Sequence, residues 1–111
     1  MTVGQVVEKL GLTVYSGKEG LDREVTGGYV SDLLSDVMGR ADTGHIWVTL
    51  QTHKNVMAIA SLKDLAAVIL VNGYQPEPDT ATQSNEEAIP VLGTSLSNFE
   101  ITGQLYELLK K

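Results

Sequence analysis

The stretch AVILV at residues 67–71 decides the fold, because it is uniformly apolar. A strand of this kind is buried on both faces, as in parallel sheets that are covered by helices. On either side of this stretch, apolar runs at residues 46–50 and 89–92 predict two further strands. A predicted helix lies between each pair of successive strands, at residues 55–62 and 78–87. Strands that alternate with helices predict βαβ units with right-handed crossovers. We therefore expect an α/β fold, with a three-layer-like, open, mostly parallel sheet of about four to five strands flanked by helices.

The N-terminal part of the chain predicts one well-delimited helix followed by two short strands. Thr2 and Gln5 have the spacing of a capping box, and Gly11 is a typical residue at the end of a helix. Strands are expected at residues 12–15 and 25–30, the second weakened by two glycines. The apolar stripe of the helix consists of Val3, Val6, Val7 and Leu10.

Two further helices are predicted from their first residues. Ser31 is expected to cap one of them, and Ser97 with Glu100 forms a second capping box. Trp47, on a predicted strand, is expected in the core. The buried face of the first helix is predicted to contain Leu33, Leu34, Val37 and Met38. That of the last helix is predicted to contain Phe99, Leu105, Leu108 and Leu109.

Composition excludes several classes of function. The 111 residues suit one domain. Fourteen acidic and eight basic residues give a net charge of -6, which argues against nucleic acid, since phosphate binding needs clustered cations. The one basic pair is Lys110 and Lys111, and it is expected to be a solvated helix end. There is no cysteine, which excludes disulfides, thiolate zinc sites and cysteine nucleophiles.

The chain is expected to be cytoplasmic and to have no membrane partner. Its longest apolar run, at residues 65–71, is too short to span a bilayer. Its first residues lack the basic start and apolar core of a signal peptide.

The stretch LDREVTGG at residues 21–28 resembles the motif of the DRTGG domain family. The likeness extends over most of the chain, through the capped first helix, the strand that ends in Val71-Asn72-Gly73, and IPVL at 89–92 before a capped last helix. The segment WVTLQTH at 47–53 is similar to the stand-alone form found in anaerobic bacteria. Such forms often accompany iron-hydrogenase or electron-transfer genes.

The resemblance implies a regulatory or ligand-sensing role. Family members elsewhere are accessory modules, beside CBS domains and within some phosphotransacetylases. Their fold is similar to the N-terminal domain of HPr kinase/phosphorylase. A kinase of that type needs a phosphate-binding loop of the form G-x-x-x-x-G-K-[ST], and this sequence contains no such motif.

Polar residues follow the predicted parallel strands, where open α/β sheets bind their ligands. Several of them precede helix starts, whose N–H groups favour anions. Together they would hold a nucleotide or a small phosphorylated metabolite. The alternative is that they cap helices and shape turns. These candidate ligand-binding residues are Ser31, Asp32, Thr52, His53, Asn72, Gly73, Thr94 and Ser95.

The family motif supplies three more candidates, each with a structural alternative. Arg23 offers a planar fork of donors that suits a carboxylate or phosphate, or else an acidic neighbour in the same fold. Gly27 and Gly28 would line an anion pocket with their N–H groups, or would let a helix pack closely on the strand. Asp22 is expected to fix the preceding turn.

The expected function is a non-catalytic regulatory, ligand-sensing or docking module without a cofactor. Its partner would be a small anionic ligand or a larger protein complex, such as a hydrogenase or electron-transfer system. A purely structural homodimer is the first alternative, and the open sheet edges favour a homodimer in either case. A small phosphotransferase-type enzyme is the least supported of the alternatives. No catalytic residue is assigned, and His45 and His53 lack the further ligands of a metal site.

Overall fold

The computed structural model describes residues 1–110, so Lys111 of the basic pair lies outside the described residues. Helices and strands alternate along most of the chain, as the sequence predicts. The helices are α1 (Val3–Leu10), α2 (Leu34–Arg40), α3 (Asn55–Leu62), α4 (Pro78–Glu87) and α5 (Asn98–Leu109). The strands are β1 (Thr13–Ser16), β2 (Gly27–Val30), β3 (His45–Thr49), β4 (Ala67–Leu70) and β5 (Val91–Gly93).

The five strands form one sheet in the order β1-β5-β4-β3-β2. Strands β2, β3, β4 and β5 pair in parallel, and β1 pairs antiparallel with β5. The middle strand β4 contains the first four residues of the uniformly apolar stretch at 67–71. Ile69 lies between Val48 of β3 and Leu92 of β5. The expected α/β architecture with a mostly parallel sheet is confirmed.

Two apolar clusters, one on each face of the sheet, make up the core. Ile69 packs with Val6 and Leu105 on the face that α1 and α5 cover. Val68 points the other way and packs with residues of α2 and α3, together with Trp47, whose indole N–H donates to the carbonyl of Ser31 at 2.7 Å. The alternation of side chains along β4 thus produces three layers. In residues 1–110, none of the helices combines the length and the apolar character needed to cross a membrane.

Both capping boxes form as predicted. The Thr2 hydroxyl accepts from the N–H of Gln5, and the Gln5 side chain accepts from the N–H of Thr2. Gly11 ends α1 in the left-handed conformation, with φ 63°. At the start of α5, the Ser97 hydroxyl accepts from the N–H of Glu100, and the Glu100 side chain accepts from the N–H of Ser97.

The predicted start of α2 is wrong. The Ser31 hydroxyl accepts from the N–H of Leu33, two residues later, which stabilises a turn rather than a helix. Leu33 is extended, so α2 begins at Leu34 without a side-chain cap. Leu33 and Met38 are 64% and 38% exposed, whereas Val37 is buried as predicted.

The predicted burial of Phe99 is also wrong, since the ring is 88% exposed. The buried residues of α5 are Ile101 and Leu105. Phe99 precedes Ile101 by two residues, which rotates it by about 200° to the opposite side of the helix.

Candidate functional site

Parallel pairing brings the carboxyl ends of β2, β3, β4 and β5 to the same edge of the sheet. We call this the carboxyl edge and define it by the short segments that follow these strands, at residues 31–32, 50–54, 71–73 and 94–95. Eight of the eleven predicted site residues lie there, in the spatial order that the sheet imposes. The pairs are Ser31 and Asp32 after β2, Thr52 and His53 after β3, Asn72 and Gly73 after β4, and Thr94 and Ser95 after β5.

Asp32 joins the ends of β2 and β3. Its Oδ1 accepts from the Thr49 hydroxyl at 2.8 Å and from the N–H of Leu50 at 2.9 Å. The Gln51 side-chain amide donates to the carbonyl of Asp32 at 2.9 Å. Thr49 is fully buried, whereas Asp32 is exposed. The carboxylate is therefore held in place while it stays open to solvent.

His53 and Lys54 form the basic part of the carboxyl edge. Nδ1 of His53 accepts from the N–H of Asn55 at 3.2 Å. In a neutral imidazole the other nitrogen then carries the proton, so Nε2 is a donor on an exposed ring. Lys54 is exposed as well and directly precedes α3. The pair thus offers two donors to an anion at the first turn of a helix.

Thr52 connects this region to the start of α4. Its carbonyl accepts from the hydroxyl of Thr80, which is buried, at 2.8 Å and from the N–H of Glu77 at 3.2 Å. Helices α3 and α4 both begin without a side-chain cap, unlike α1 and α5. The positive ends of two helix dipoles therefore flank Thr52.

Asn72 and Gly73 form a left-handed turn that joins the ends of β4 and β5. Their φ angles are 58° and 76°, a conformation that Asn tolerates better than most side chains. The N–H of Asn72 donates to the carbonyl of Leu96, and that of Gly73 donates to the carbonyl of Thr94. The Thr94 hydroxyl accepts from the N–H of Leu96 at 3.2 Å, so it shapes this turn. Asn72 is exposed, which leaves its amide at the surface.

Arg23 lies away from the carboxyl edge and is bound within the fold. Its Nε donates to the carbonyl of Ala88 at 2.8 Å, and one terminal nitrogen donates to the carbonyl of Glu87 at 3.3 Å. The other terminal nitrogen pairs with Asp64 at 3.1 Å. All three guanidinium nitrogens thus hold the end of α4 and a neighbouring turn. These contacts favour the structural alternative, and a ligand contact by Arg23 stays a prediction.

Gly27 and Gly28 are the first residues of β2 and do not have positive φ. A Cβ on Gly27 would lie 3.2 Å from the ring of His45, and one on Gly28 would lie 3.4 Å from a methyl group of Leu105. Close packing against His45 therefore favours glycine at position 27, whereas a Cβ at position 28 would only reach ordinary van der Waals contact. A ligand contact by either glycine stays a prediction.

Sequence reasoning missed the roles of Leu50 and Lys54 at the carboxyl edge. The position of Lys54 next to a predicted helix start was the signal that would have identified it. Tyr29 was missed too: its hydroxyl donates to Asp36 at 2.8 Å, and this bond raises the pKa of the phenol. In residues 1–110, no group of three or more His, Asp or Glu side chains is placed to hold a metal ion.

Comparisons with known proteins agree with this architecture. No protein-family model matches the chain. The HPr kinase/phosphorylase of Levilactobacillus brevis is 29% identical over 126 aligned positions, which cover 99% of this chain and 40% of that protein. A solved structure contains the CBS and DRTGG domains of the regulatory region of a Clostridium perfringens pyrophosphatase, complexed with the activator diadenosine tetraphosphate. It superposes with a TM-score of 0.72 at 13% identity, over 95% of this chain and 45% of that one.

The chain has a DRTGG-like fold. The predicted resemblance is thereby confirmed at the level of the fold. The DRTGG-like chain spans less than half the length of either similar protein. The activities and ligands of those whole proteins therefore enter only as proposals for this chain.

Proposed function

We propose that this DRTGG-like chain is a non-catalytic regulatory module that binds a nucleotide or a small phosphorylated metabolite at its carboxyl edge. The observation that carries the proposal is the convergence of eight polar or small candidate residues where four parallel strands end. Ligands of open α/β sheets bind at this kind of position.

The distribution of donors and acceptors supports a nucleotide in particular. His53 and Lys54 supply N–H donors for phosphate oxygens beside the start of α3, where the helix dipole also favours an anion. Asp32 lies after the neighbouring strand and presents an exposed carboxylate. A carboxylate repels phosphate but accepts hydrogen bonds from ribose hydroxyls. A nucleotide carries both phosphate and ribose, so its phosphate matches the donors of His53 and Lys54 and its ribose matches the carboxylate of Asp32.

The similarity to a regulatory region complexed with diadenosine tetraphosphate gives a specific first ligand to test. The same similarity supports a regulatory role over catalysis, and so does the absence of a phosphate-binding loop from the sequence. The similarity to HPr kinase/phosphorylase keeps a phosphotransferase as the alternative, and turnover of a nucleotide by the isolated chain would favour it.

Three further features belong to the proposal. We propose a cytoplasmic location, a homodimeric state, and association with hydrogenase or electron-transfer systems. The composition supports the first, and the open sheet edges support the second. The third rests on the resemblance of residues 47–53 to stand-alone family members.

Isothermal titration calorimetry with diadenosine tetraphosphate, ATP, ADP, AMP and acetyl phosphate tests the proposal. We expect saturable binding of at least one of them. Lys54→Ala should weaken its Kd about tenfold, since a charge-assisted hydrogen bond contributes roughly 1.5 kcal/mol or more. Lys18→Ala is the matched control, because Lys18 is also exposed but lies outside the carboxyl edge. No binding of any compound, or equal losses in the two variants, would contradict the proposal.

A further inference from the structure

Helix α4 is held to the rest of the fold differently from the other helices. Of the five helices in residues 1–110, it alone contributes no residue to either apolar cluster. Its buried side chains are Thr80 and Ser84, both polar, whereas the shorter helix α3 buries four apolar side chains. Burial of an apolar face supplies most of the stability of helices in folded proteins. Helix α4 therefore lacks the contribution that anchors its neighbours.

Hydrogen bonds take the place of apolar contacts along the buried side of α4. The Ser84 hydroxyl donates to the carbonyl of Ile89 at 2.6 Å and accepts from the Ser16 hydroxyl at 2.9 Å. The side chain of Asn85 accepts from the N–H of Gly17 at 2.7 Å. When a helix separates from its contacts, water replaces hydrogen bonds at a small net cost, whereas exposed apolar side chains find no such replacement. Separation of α4 should therefore cost less free energy than separation of α3.

The two ends of α4 contact the carboxyl edge and the family motif. At the start, the Thr80 hydroxyl and the N–H of Glu77 both donate to the carbonyl of Thr52. At the end, Arg23 donates to the carbonyl of Ala88 and to that of the preceding residue. Ten residues of helix, about 15 Å in length, separate the two ends. One helix thus connects the candidate ligand site to Arg23.

The residue that ends α4 is kept in an unfavourable backbone conformation. Ala88 has a φ of 54°, in the left-handed region that residues with a Cβ rarely adopt. It is held there by the bond from Arg23 and by close packing against Gly20, where a Cβ would clash with the carbonyl of Ala88. Separation of α4 removes these contacts, so it also releases the strain at Ala88. A conformation that depends on its surroundings in this way favours two discrete states, docked and undocked, over gradual fraying.

We propose that α4 is a detachable helix, which separates from the fold as one unit and thereby couples the carboxyl edge to Arg23. The docked state makes all of these hydrogen bonds, and the undocked state loses those at both ends together. Elements that move in regulation have low local stability, and a two-state element that two sites both influence is the physical basis of coupling between them. Undocking takes place in the chain without a ligand. Its regulatory use rests on the proposed function: an anion at the carboxyl edge lies near the positive end of the docked helix and should stabilise the docked state.

Amide hydrogen exchange of the ligand-free chain, followed by NMR, tests the separation of α4. Relative to the intrinsic rates, exchange at residues 82–87 should be at least about tenfold faster than in α3, because α4 opens at a lower free energy. The protection should be similar from one residue of α4 to the next, since one opening exposes them all. Protection of α4 equal to that of α3, or protection that falls gradually towards one end, would overturn the proposal.

Two variants, one at each end of α4, test the coupling. Arg23→Ala should accelerate exchange at residues 82–84 as much as at 85–87, by about tenfold or more, because it removes bonds from a charged donor. Thr80→Val removes the hydroxyl bond at the start with little change in shape, and it should accelerate exchange at residues 85–87. Arg40→Ala alters only an exposed pair on α2 and is the control, in which α4 should exchange as in the wild type. Acceleration confined to the turn beside each substitution would overturn the coupling.

Exchange in the presence of diadenosine tetraphosphate tests the regulatory use. Where calorimetry shows binding, saturating ligand should slow exchange throughout residues 82–87, because a ligand that favours the docked state lowers the population of the undocked one. The undocked state is the minor one, so its loss changes exchange rates and leaves the average chemical shifts near Arg23 almost unchanged. Bound ligand with unchanged exchange in α4 would overturn the regulatory coupling. Absence of binding would contradict the proposed function alone, since the ligand-free measurements decide whether α4 detaches.

Discussion

Replacement of Arg23 by alanine should destabilise the fold, because this residue of the family motif holds the end of α4. The change removes two bonds to carbonyls, of Ala88 at 2.8 Å and of Glu87 at 3.3 Å, and an ion pair with the exposed Asp64. Hydrogen bonds to a charged donor contribute about 1.5–3 kcal/mol, and exposed ion pairs contribute little. The longer bond is the weaker one, so we expect a loss of about 2–4 kcal/mol in the free energy of unfolding.

Urea denaturation followed by circular dichroism measures this loss directly. The melting temperature should fall by about 8–16 °C, since each kcal/mol corresponds to about 4 °C in a domain of this size. The melting temperature of Arg23→Lys should lie between those of the wild type and Arg23→Ala, because lysine keeps the charge but not the fork of donors. Arg40→Ala is the control: Arg40 is exposed, makes one helical pair with Asp36 at 3.5 Å, and should cost about 0.5 kcal/mol or less. If Arg23→Ala is as stable as Arg40→Ala, the structural role of Arg23 is refuted.

Three further predictions concern the core, one titrating group and the carboxyl edge. Ile69→Ala should cost about 2–5 kcal/mol in urea denaturation, because Ile69 is fully buried in the middle strand; a loss below about 1 kcal/mol would contradict that placement. Tyr29 has a pKa above its ordinary 10.0 because it donates to Asp36, so its stabilising contribution is complete below pH 10.0 and is lost as pH rises through the folded pKa. Absorbance titration, with Tyr29→Phe for assignment, should show a lower pKa in Asp36→Ala, and an unchanged pKa would rule out this cause. Asp32→Ala should cost about 1–3 kcal/mol by chemical denaturation, since the buried Thr49 hydroxyl loses its acceptor; Asp32→Asn should retain most of the stability, and equal losses would argue against the bond.

Local sequence patterns predicted the parts of the fold that depend on neighbouring residues. The capping box of Thr2 and Gln5 closes within one helical turn, so its spacing alone specifies it. The uniformly apolar run at 67–71 predicted the buried middle strand, because few other elements need apolar side chains on both faces. The alternation of strands and helices then implied the parallel sheet.

Features that depend on distant residues were not predictable in the same way. Ser31 resembles a helix cap, but the carboxylate of Asp32 bonds across to β3 and the chain stays extended through Leu33. The strand order, and the antiparallel position of β1, depend on pairing between segments far apart in sequence. The exposure of Phe99 follows from the rotation of α5 that Ile101 and Leu105 set.

The candidate site was predictable only in the part that depends on local sequence. Strand ends are recognisable in sequence, and parallel pairing brings them to one edge, so eight of the residues converge there. Arg23 could not be placed, because its partners at residues 64, 87 and 88 lie far along the chain. The family motif at 21–28 therefore lies apart from the carboxyl edge.

The most direct test of the central claim is a titration of the ¹⁵N-labelled chain with diadenosine tetraphosphate, followed by amide chemical shifts. Binding at the carboxyl edge predicts saturable shifts that are largest around Asp32, His53, Asn72 and Thr94, with little change near Arg23. Lys54→Ala should reduce these shifts at the same ligand concentration. Shifts that are absent, or that are largest at the motif around Arg23, would contradict the account.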